Sequence, residues 1–410
     1  MQTKIVSKNF EIPHANTLEI ALKNGRYTSL KKLFSHTPQE VIDIIKASNL
    51  RGKGGGGAPA GAKWQLASDY EGIKYLVVNA DESEPGTFKD RQILSKDPHL
   101  LIEGIICTCY AIGSNTSYIY VRGEYEEFSD ILQASIDEAY AKNILGQSAK
   151  YPVEITIHRG AGAYICGEKS ALLESLEGNR GHPRLKPSSP EPEFYFGQPT
   201  LVNNVETIAS VPFIVENGAE AYMAYGTDCS SGTLLFAISG HVEKPGVYEA
   251  EFGVGMLDYI EKLGGGVKGG KKLKAVIPGG ASTPILPAHL VMEAKLDYEN
   301  LKSLGSALGT GGMIVLDEDA SIVKALKNLL RFYHHESCGQ CTPCREGTSW
   351  VDKTLDKFIT KTATHDDLRV LKSVSKSMNG QTICVFAPAA SGVIDGFLKH
   401  FESEFLECIQ

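Results

Sequence analysis

Three cysteines stand three residues apart in SCGQCTPCREG, Cys338, Cys341 and Cys344, and a fourth, Cys384, follows in QTICVFAP. C-x2-C-x2-C on a tight turn aims successive sulfurs at one centre, so the chain must fold a helical or loop cage around that centre and bring Cys384 back to close it. Four thiolates at this spacing suit a cubane 4Fe-4S cluster. Zinc is the competing reading, although structural zinc sites usually draw their cysteines as two separate C-x2-C pairs. The chain holds nine cysteines in all, an odd number that does not suit a disulfide framework. Cys107, Cys109, Cys166, Cys229 and Cys408 read as plain thiols. His334 and His335 lie beside the run, but four cysteines already complete a ligand set without them.

Length and charge narrow the class. The 410 residues allow several domains, and 42% hydrophobic content is enough for real cores. A formal net charge of -8 argues against neutralising a phosphate backbone, so nucleic acid is not an expected partner. The first twenty residues lack the apolar stretch of a secretory signal, and no run approaches the ~18 apolar residues of a spanning helix. A cytoplasmic chain is expected, with any membrane attachment made through other subunits.

Hydrophobic periodicity divides the chain. Apolar residues at helical spacing from Thr17 to Ser48 predict two helices within residues 1–49. YLVVNA (75–80), SYIYVRG (117–123) and VEITIH (153–158) read as buried strands alternating with helices, which predicts an α/β domain with a largely parallel sheet over 50–229. TLLFAISGHVEKPGVYEAEFG, MLDYIEKLGGGV and KLKAVIPGG then suggest a small α+β module, placed with its connection at 230–310. From 311 to 410 the pattern becomes helical, a bundle that carries the cysteine cage.

Two glycine-bearing loops punctuate the α/β part. In RGKGGGGAPAGAKW, Gly52, Gly54 and Gly57 satisfy G-x-G-x-x-G literally, but the preceding EVIDIIKASNL reads as a helix where the dinucleotide fingerprint needs a strand. What remains is physical: Gly52, Gly54, Gly55, Gly56 and Gly57 let backbone N–H groups approach a phosphate or an aromatic ring system, with Lys53 and Lys63 offering positive charge. After the first strand, Asp81, Glu82 and Glu84 gather at the usual ligand position of an open sheet, as acceptors for sugar hydroxyls or simply as a solvated turn. RGAGAYICGEKSALLESLEG repeats the arrangement, with Gly160, Gly162 and Gly167 ahead of a helix whose N-terminus favours an anion. Two such loops on one domain predict a composite nucleotide or flavin pocket.

Together with RLKP, NNVET, ISGHVEKPGVYE and AVIPGGASTPILP, these motifs resemble the NADH-oxidising flavoprotein subunit of respiratory complex I, over nearly the whole chain. The resemblance implies a Rossmann-like FMN-binding α/β domain, a soluble-ligand-binding β-grasp module and a helical 4Fe-4S domain. It implies FMN on the first glycine loop, with Lys63, Asn79, Asp81, Glu168, Asn203 and Asn204 at flavin-contact positions. Glu82, Gly167, Lys169, Lys186 and Thr207 belong to the same cofactor-binding set, and Glu84 falls where the family places an acid near the nicotinamide carboxamide. Cys338, Cys341, Cys344 and Cys384 would ligate the cluster.

The implied activity is NADH dehydrogenase: hydride passes from NADH to FMN, then single electrons pass through the cluster toward quinone. The implied partners are a thioredoxin-like 2Fe-2S subunit and a larger iron-sulfur subunit, holding the chain on the cytoplasmic face of the inner membrane. The sequence departs from the family pattern at Ala58 and at Ser188–Ser189, where aromatic rings are usual, at Lys169, where GEE would place a second glutamate, and in ICVFAPAASG. An ammonium at 169 attracts a 2′-phosphate that a carboxylate would repel. NADPH preference is therefore one alternative, and an FMN/4Fe-4S relay without dinucleotide binding is another. A zinc-stabilised scaffold without redox chemistry is the third.

Overall fold

Five strands form the first sheet of a computed structural model that describes residues 4–410: β1 (Tyr75–Ala80), β2 (Thr116–Val121), β3 (Glu154–Arg159), β4 (Glu193–Tyr195) and β5 (Gln198–Asn204). Their order is β3-β2-β1-β5-β4. All neighbours run parallel except the edge strand β4. Helices cover both faces, which is why the middle strands read as continuous apolar runs. One of them, Pro98–Ile112, is buried on almost every side, the mark of a helix inside a core. Its Gly104 packs so closely on the short helix Val205–Ala209 that a Cβ there would stand 2.3 Å from the Ile208 carbonyl oxygen. This contact seats the C-terminal end of β5 beside that of β1, with Asn79 paired to Asn204 in register.

The N-terminal part holds three helices, Leu18–Lys23, Ser29–Leu33 and Pro38–Ala47, where periodicity had suggested two. The first run breaks at Asn24–Gly25, whose glycine adopts φ +86°. Pro38–Ala47 is fixed by a capping box between Thr37 and Glu40. It leads into the first glycine loop, so a helix and not a strand precedes G-x-G-x-x-G, as the sequence indicated.

A second sheet comprises β6 (Thr233–Gly240), β7 (Gly246–Glu251), β8 (Leu273–Ile277), β9 (Leu286–Pro287) and β10 (Gly312–Asp317), in the order β7-β6-β10-β8-β9. The central strand β10 lies beyond residue 310, between a glycine-rich turn and the first helix of the C-terminal bundle. It pairs in parallel with β6 and antiparallel with β8. Four longer helices follow: Ile322–Glu336, Thr342–Ile359, His365–Met378 and Phe386–Leu406. Their apolar faces form one core with Ile165, Leu172 and Leu173 of the α/β part. Among the described residues, no helix is long and apolar enough to cross a membrane.

The N-terminal segment is pinned to the second sheet by one carboxylate. Glu249, buried on β7, accepts hydrogen bonds from the backbone N–H of Ile5, Val6 and Ser7 at 2.8–3.1 Å. It also accepts from the hydroxyls of Ser7 at 2.7 Å and Thr233 at 2.6 Å. Each buried donor left unpaired costs about 1–3 kcal/mol. Glu249→Ala is expected to lower unfolding stability in urea by ~3 kcal/mol or more, with Glu249→Gln recovering part of the loss. An Ala variant as stable as wild type would show that water replaces the carboxylate.

Candidate functional site

The first glycine loop closes on itself. Gly52 N–H donates to the Ala58 carbonyl at 2.8 Å and Gly57 N–H to the Gly52 carbonyl at 3.2 Å, while Lys53 N–H donates to Thr207 Oγ1 at 2.9 Å. Gly54, Gly55 and Gly56 line a cavity of about 380 Å³, and none of their N–H groups finds an acceptor among the described residues. A Cβ on Gly54 would stand 3.0 Å from Asn204 Cβ, and Gly55 adopts φ +107°, so glycine is required at both positions. Three successive unpaired donors are the fit expected of a phosphate cradle.

The lysines near the loop are already committed. Buried Lys53 pairs with Glu206 at 3.2 Å and donates to Ser210 Oγ at 2.7 Å. Lys89 pairs with Glu206 and with Asp90, each at 2.8 Å. Lys63 donates to the Val202 carbonyl at 2.6 Å, does not line the cavity, and is pushed down to about 8 by burial and by neighbouring Lys169. Anion recognition therefore falls to the glycine N–H groups more than to free ammonium charge.

The three acids after β1 have separate roles. Glu82 accepts from the N–H groups of Lys89, Asp90 and Arg91 at 2.8–3.1 Å and from Tyr125 Oη at 2.9 Å. It thus fixes the start of helix Asp90–Lys96 from one wall of the cavity. Glu84 is held at both oxygens, by Tyr164 Oη at 2.5 Å and Ser282 N–H at 2.7 Å, and burial pushes its carboxyl up. Asp81 differs: its Oδ2 is buried without any hydrogen-bond partner. Burial raises it to about 7 against the pull of Arg122. An orphaned acceptor on a cavity wall fits a hydroxyl-bearing ligand.

The remaining cofactor-binding candidates divide between the wall and its supports. Asn79, Gly167, Glu168 and Asn204 line the cavity. Asn79 Nδ2 donates to the Gly167 carbonyl at 2.9 Å, Glu168 caps helix Lys169–Leu176, and Asn204 caps Val205–Ala209. Behind the wall, Asn203 Oδ1 accepts from Trp64 Nε1 at 2.9 Å. Gly52, Gly57 and Thr207 shape the loop without lining the cavity. Lys169 is ion-paired with Glu193, which offsets much of its charge. Lys186, Ser188 and Ser189 are exposed on the loop before β4, and Ala58 is exposed too.

The four cysteines meet as the spacing requires. Cys338, Cys341, Cys344 and Cys384 line a second, small cavity with Ile165, Gln340 and Phe386. Cys341 stands just before helix Thr342–Ile359, Cys344 lies in its first turn, and Cys384 stands two residues ahead of helix Phe386–Leu406. Helix N-termini stabilise thiolates, and Ile383 N–H donates to Cys341 Sγ at 3.4 Å. Burial pushes Cys344 up to about 11, so loading the site releases protons. Among the described residues, no three His, Cys, Asp or Glu converge closely enough to hold one metal ion. Four thiols around one small cavity suit a cubane cluster, in which each of the four irons takes one thiolate. His334 pairs with Asp352 and His335 with Glu336, and neither lines the small cavity.

Ile165, Cys384 and Phe386 line both cavities. This shared wall was not legible in the sequence, nor were Tyr164, Lys89, Asp90, Ser282, Thr283 and Thr310 as residues of the larger cavity. Tyr164 does sit inside the second glycine loop. Ser282 and Thr310 come from glycine-rich turns of the second module, PGGASTP and GTGG, which give a weak signal.

Comparison with known proteins agrees with this layout. Residues 45–213 match the Nuo51 FMN-binding domain, 234–315 the SLBB domain, and 324–408 the NADH-ubiquinone oxidoreductase-F iron-sulfur binding region. The chain is 45% identical to the F subunit of the NADH-quinone oxidoreductase of Rhodobacter capsulatus, over 97% of its length and 94% of the relative's. It is 47% identical to the F subunit of the Rickettsia typhi enzyme of the same name, over 96% and 94%. Among solved structures, an NAD+-reducing [NiFe]-hydrogenase in the H2-reduced state superposes with a TM-score of 0.84 at 36% identity. That match covers 92% of this chain but only 65% of the hydrogenase chain.

Asp81 yields a pH test. Its folded pKa of about 7 lies above the ordinary carboxylate value, so between those limits the folded chain binds more protons than the unfolded one and stability falls as pH rises. Asp81→Asn removes this penalty. The ligand-free variant should match wild type near pH 4 and exceed it by roughly 1–3 kcal/mol at pH 8 in denaturant titrations. A difference independent of pH would show that the Asp81 carboxyl titrates in the folded chain as it does in the unfolded one.

Proposed function

Because this chain belongs to the family of NADH-quinone oxidoreductase F subunits, we propose that it is the electron-entry subunit of such an enzyme. It takes hydride from NADH onto FMN and passes single electrons to a 4Fe-4S cluster, toward partner iron-sulfur subunits and finally quinone. The observation that carries this reading is the wall of Ile165, Cys384 and Phe386 common to the two cavities. FMN accepts electrons in pairs and releases them singly, and an iron-sulfur cluster takes them one at a time.

The chain's own residues supply binding, orientation and exclusion of water. The N–H groups of Gly54, Gly55 and Gly56 receive the flavin phosphate, and Asn79 and Asp81 receive the ribityl hydroxyls. Glu84, immobilised by Tyr164 and Ser282, orients the nicotinamide carboxamide. Cys338, Cys341, Cys344 and Cys384 hold the cluster. Ile165 and Phe386, both buried, keep water from the space between the two sites. A thioredoxin-like 2Fe-2S subunit and a larger iron-sulfur subunit take the electrons onward and fix the chain peripherally on the cytoplasmic face of the inner membrane.

Lys169 bears on the choice between NADH and NADPH. Its ammonium would attract a 2′-phosphate, but the ion pair with Glu193 offsets that attraction, so NADH stands as the substrate. Anaerobic titration with NADH and then NADPH, following flavin absorbance and cluster signal separately, tests the assignment. NADH should bleach the flavin and then reduce the cluster. A colourless protein, or one inert to NADH, would overturn it.

Cys341→Ala separates the two halves of the reaction, because Cys341 lines only the smaller cavity: NADH should still bleach the flavin while the cluster's paramagnetic signal is lost. Loss of flavin reduction together with the cluster would show that the cage also shapes the entry site.

A further inference from the structure

The glycine loop is held from outside its own domain. Tyr298 opens the short helix Tyr298–Ser303 of the second module, fixed by Asp297, whose Oδ1 accepts from Asn300 N–H at 2.6 Å. Its hydroxyl donates to the Gly52 carbonyl at 3.1 Å, and burial pushes the phenol well up, so it stays a neutral donor. Its ring lies against Gly57, where a Cβ would stand 2.6 Å from the ring edge and where φ is +60°. The Arg51 guanidinium sits 4.0 Å from the centre of the same ring. Arg51 Nε also donates to the Gly57 carbonyl at 2.7 Å, and the guanidinium pairs with Glu299, the next residue after Tyr298. Glu299 is anchored in turn by Ser230 Oγ at 2.8 Å. From the other side, Thr310 Cγ2 lies 3.5 Å from the position of a Gly55 Cβ.

These contacts grip both ends of the loop, Gly52 and Gly57, and leave its middle, Gly54–Gly56, with unpaired N–H groups. Glycine has more backbone freedom to lose than any other residue, so a glycine run in free solution would hold three aligned donors only briefly. We propose that Tyr298 is a positioning residue for the flavin phosphate: the second module, through this ring and hydroxyl, keeps the loop of the first domain in its phosphate-binding form. The proposal rests on the assignment of FMN to this cavity. The second module thereby sets the affinity of a cofactor that it does not itself hold by the phosphate.

The test is flavin binding by the full chain with its cluster intact, comparing FMN with riboflavin, which lacks the phosphate, by quenching of flavin fluorescence. Wild type should prefer FMN. Tyr298→Leu should weaken FMN by about tenfold or more and riboflavin by less than about twofold, while Tyr298→Phe, which keeps the ring, should weaken FMN by only about threefold. The cluster signal should be unchanged in both. If Tyr298→Leu binds FMN as wild type does, or loses both flavins equally, the proposal is overturned. If that variant does not fold, Tyr298→Phe decides, and an FMN-to-riboflavin preference equal to wild type overturns it. A wild-type chain that binds neither flavin overturns the FMN assignment itself, and the proposal with it.

Discussion

Glu206 has no solvent exposure and draws several parts of the chain to one point. Its carboxylate meets Lys53 from the glycine loop, Lys89 from the segment after β1, and Leu235 N–H at 2.9 Å from the second sheet. Burial alone would push its carboxyl up, yet Lys89 and Lys53 outweigh that and hold it below the usual carboxylate range. Asp90 extends the network to Asn204 at 2.5 Å. A buried ion cluster of this kind adds little net stability over an apolar core, but removing one member strands the others. Its contacts tie together the glycine loop, the acid-bearing turn, the end of β5 and the second module. The larger cavity is the space they leave.

That arrangement explains why the second module belongs to the site. Ser282, Thr283, Gly309 and Thr310 line the same cavity as Gly54–Gly56, and Ala281 N–H donates to the Pro85 carbonyl at 3.0 Å across the boundary. The Ser282 N–H that immobilises Glu84 therefore arrives with a backbone whose position β8 and β10 determine. Placement of a bound reactant depends on how firmly its pocket is built, and this pocket is lined from both sheet-bearing modules.

How much of this could be read beforehand followed from how local each signal was. That the four cysteines and the glycine loops would each line a cavity was legible because their pattern is written in spacing along a few residues. The strands β1, β2 and β3 were legible because parallel strands buried on both faces leave unbroken apolar runs. β10 was not, because GMIVLD follows a glycine-rich turn and precedes a long helix, and only its pairing with β6 and β8 marks its place. The roles of Lys53 and Lys63 were legible as charge but not as commitment, since their partners Glu206 and Val202 lie far along the chain. Tyr164 sits inside the second glycine loop but carries no mark of its own there, and Tyr298 lies where nothing in the local pattern stands out. Their meaning comes from what the fold brings to them.

The shared wall carries the argument from structure to chemistry. Cys384 and Phe386 are two residues apart, and the last helix begins at the second of them. The short backbone stretch between them therefore ties a cysteine of the small cavity to a ring on the wall of the larger one. Tyr164 packs edge-on against Phe386, with ring centres 5.7 Å apart, while its hydroxyl holds Glu84. Glu84, Tyr164 and Phe386 thus form one continuous chain of contacts from the wall of the larger cavity to the wall it shares with the smaller one. Electrons that arrive in pairs and leave singly need two neighbouring centres, and this backbone and aromatic link joins the walls of the two cavities.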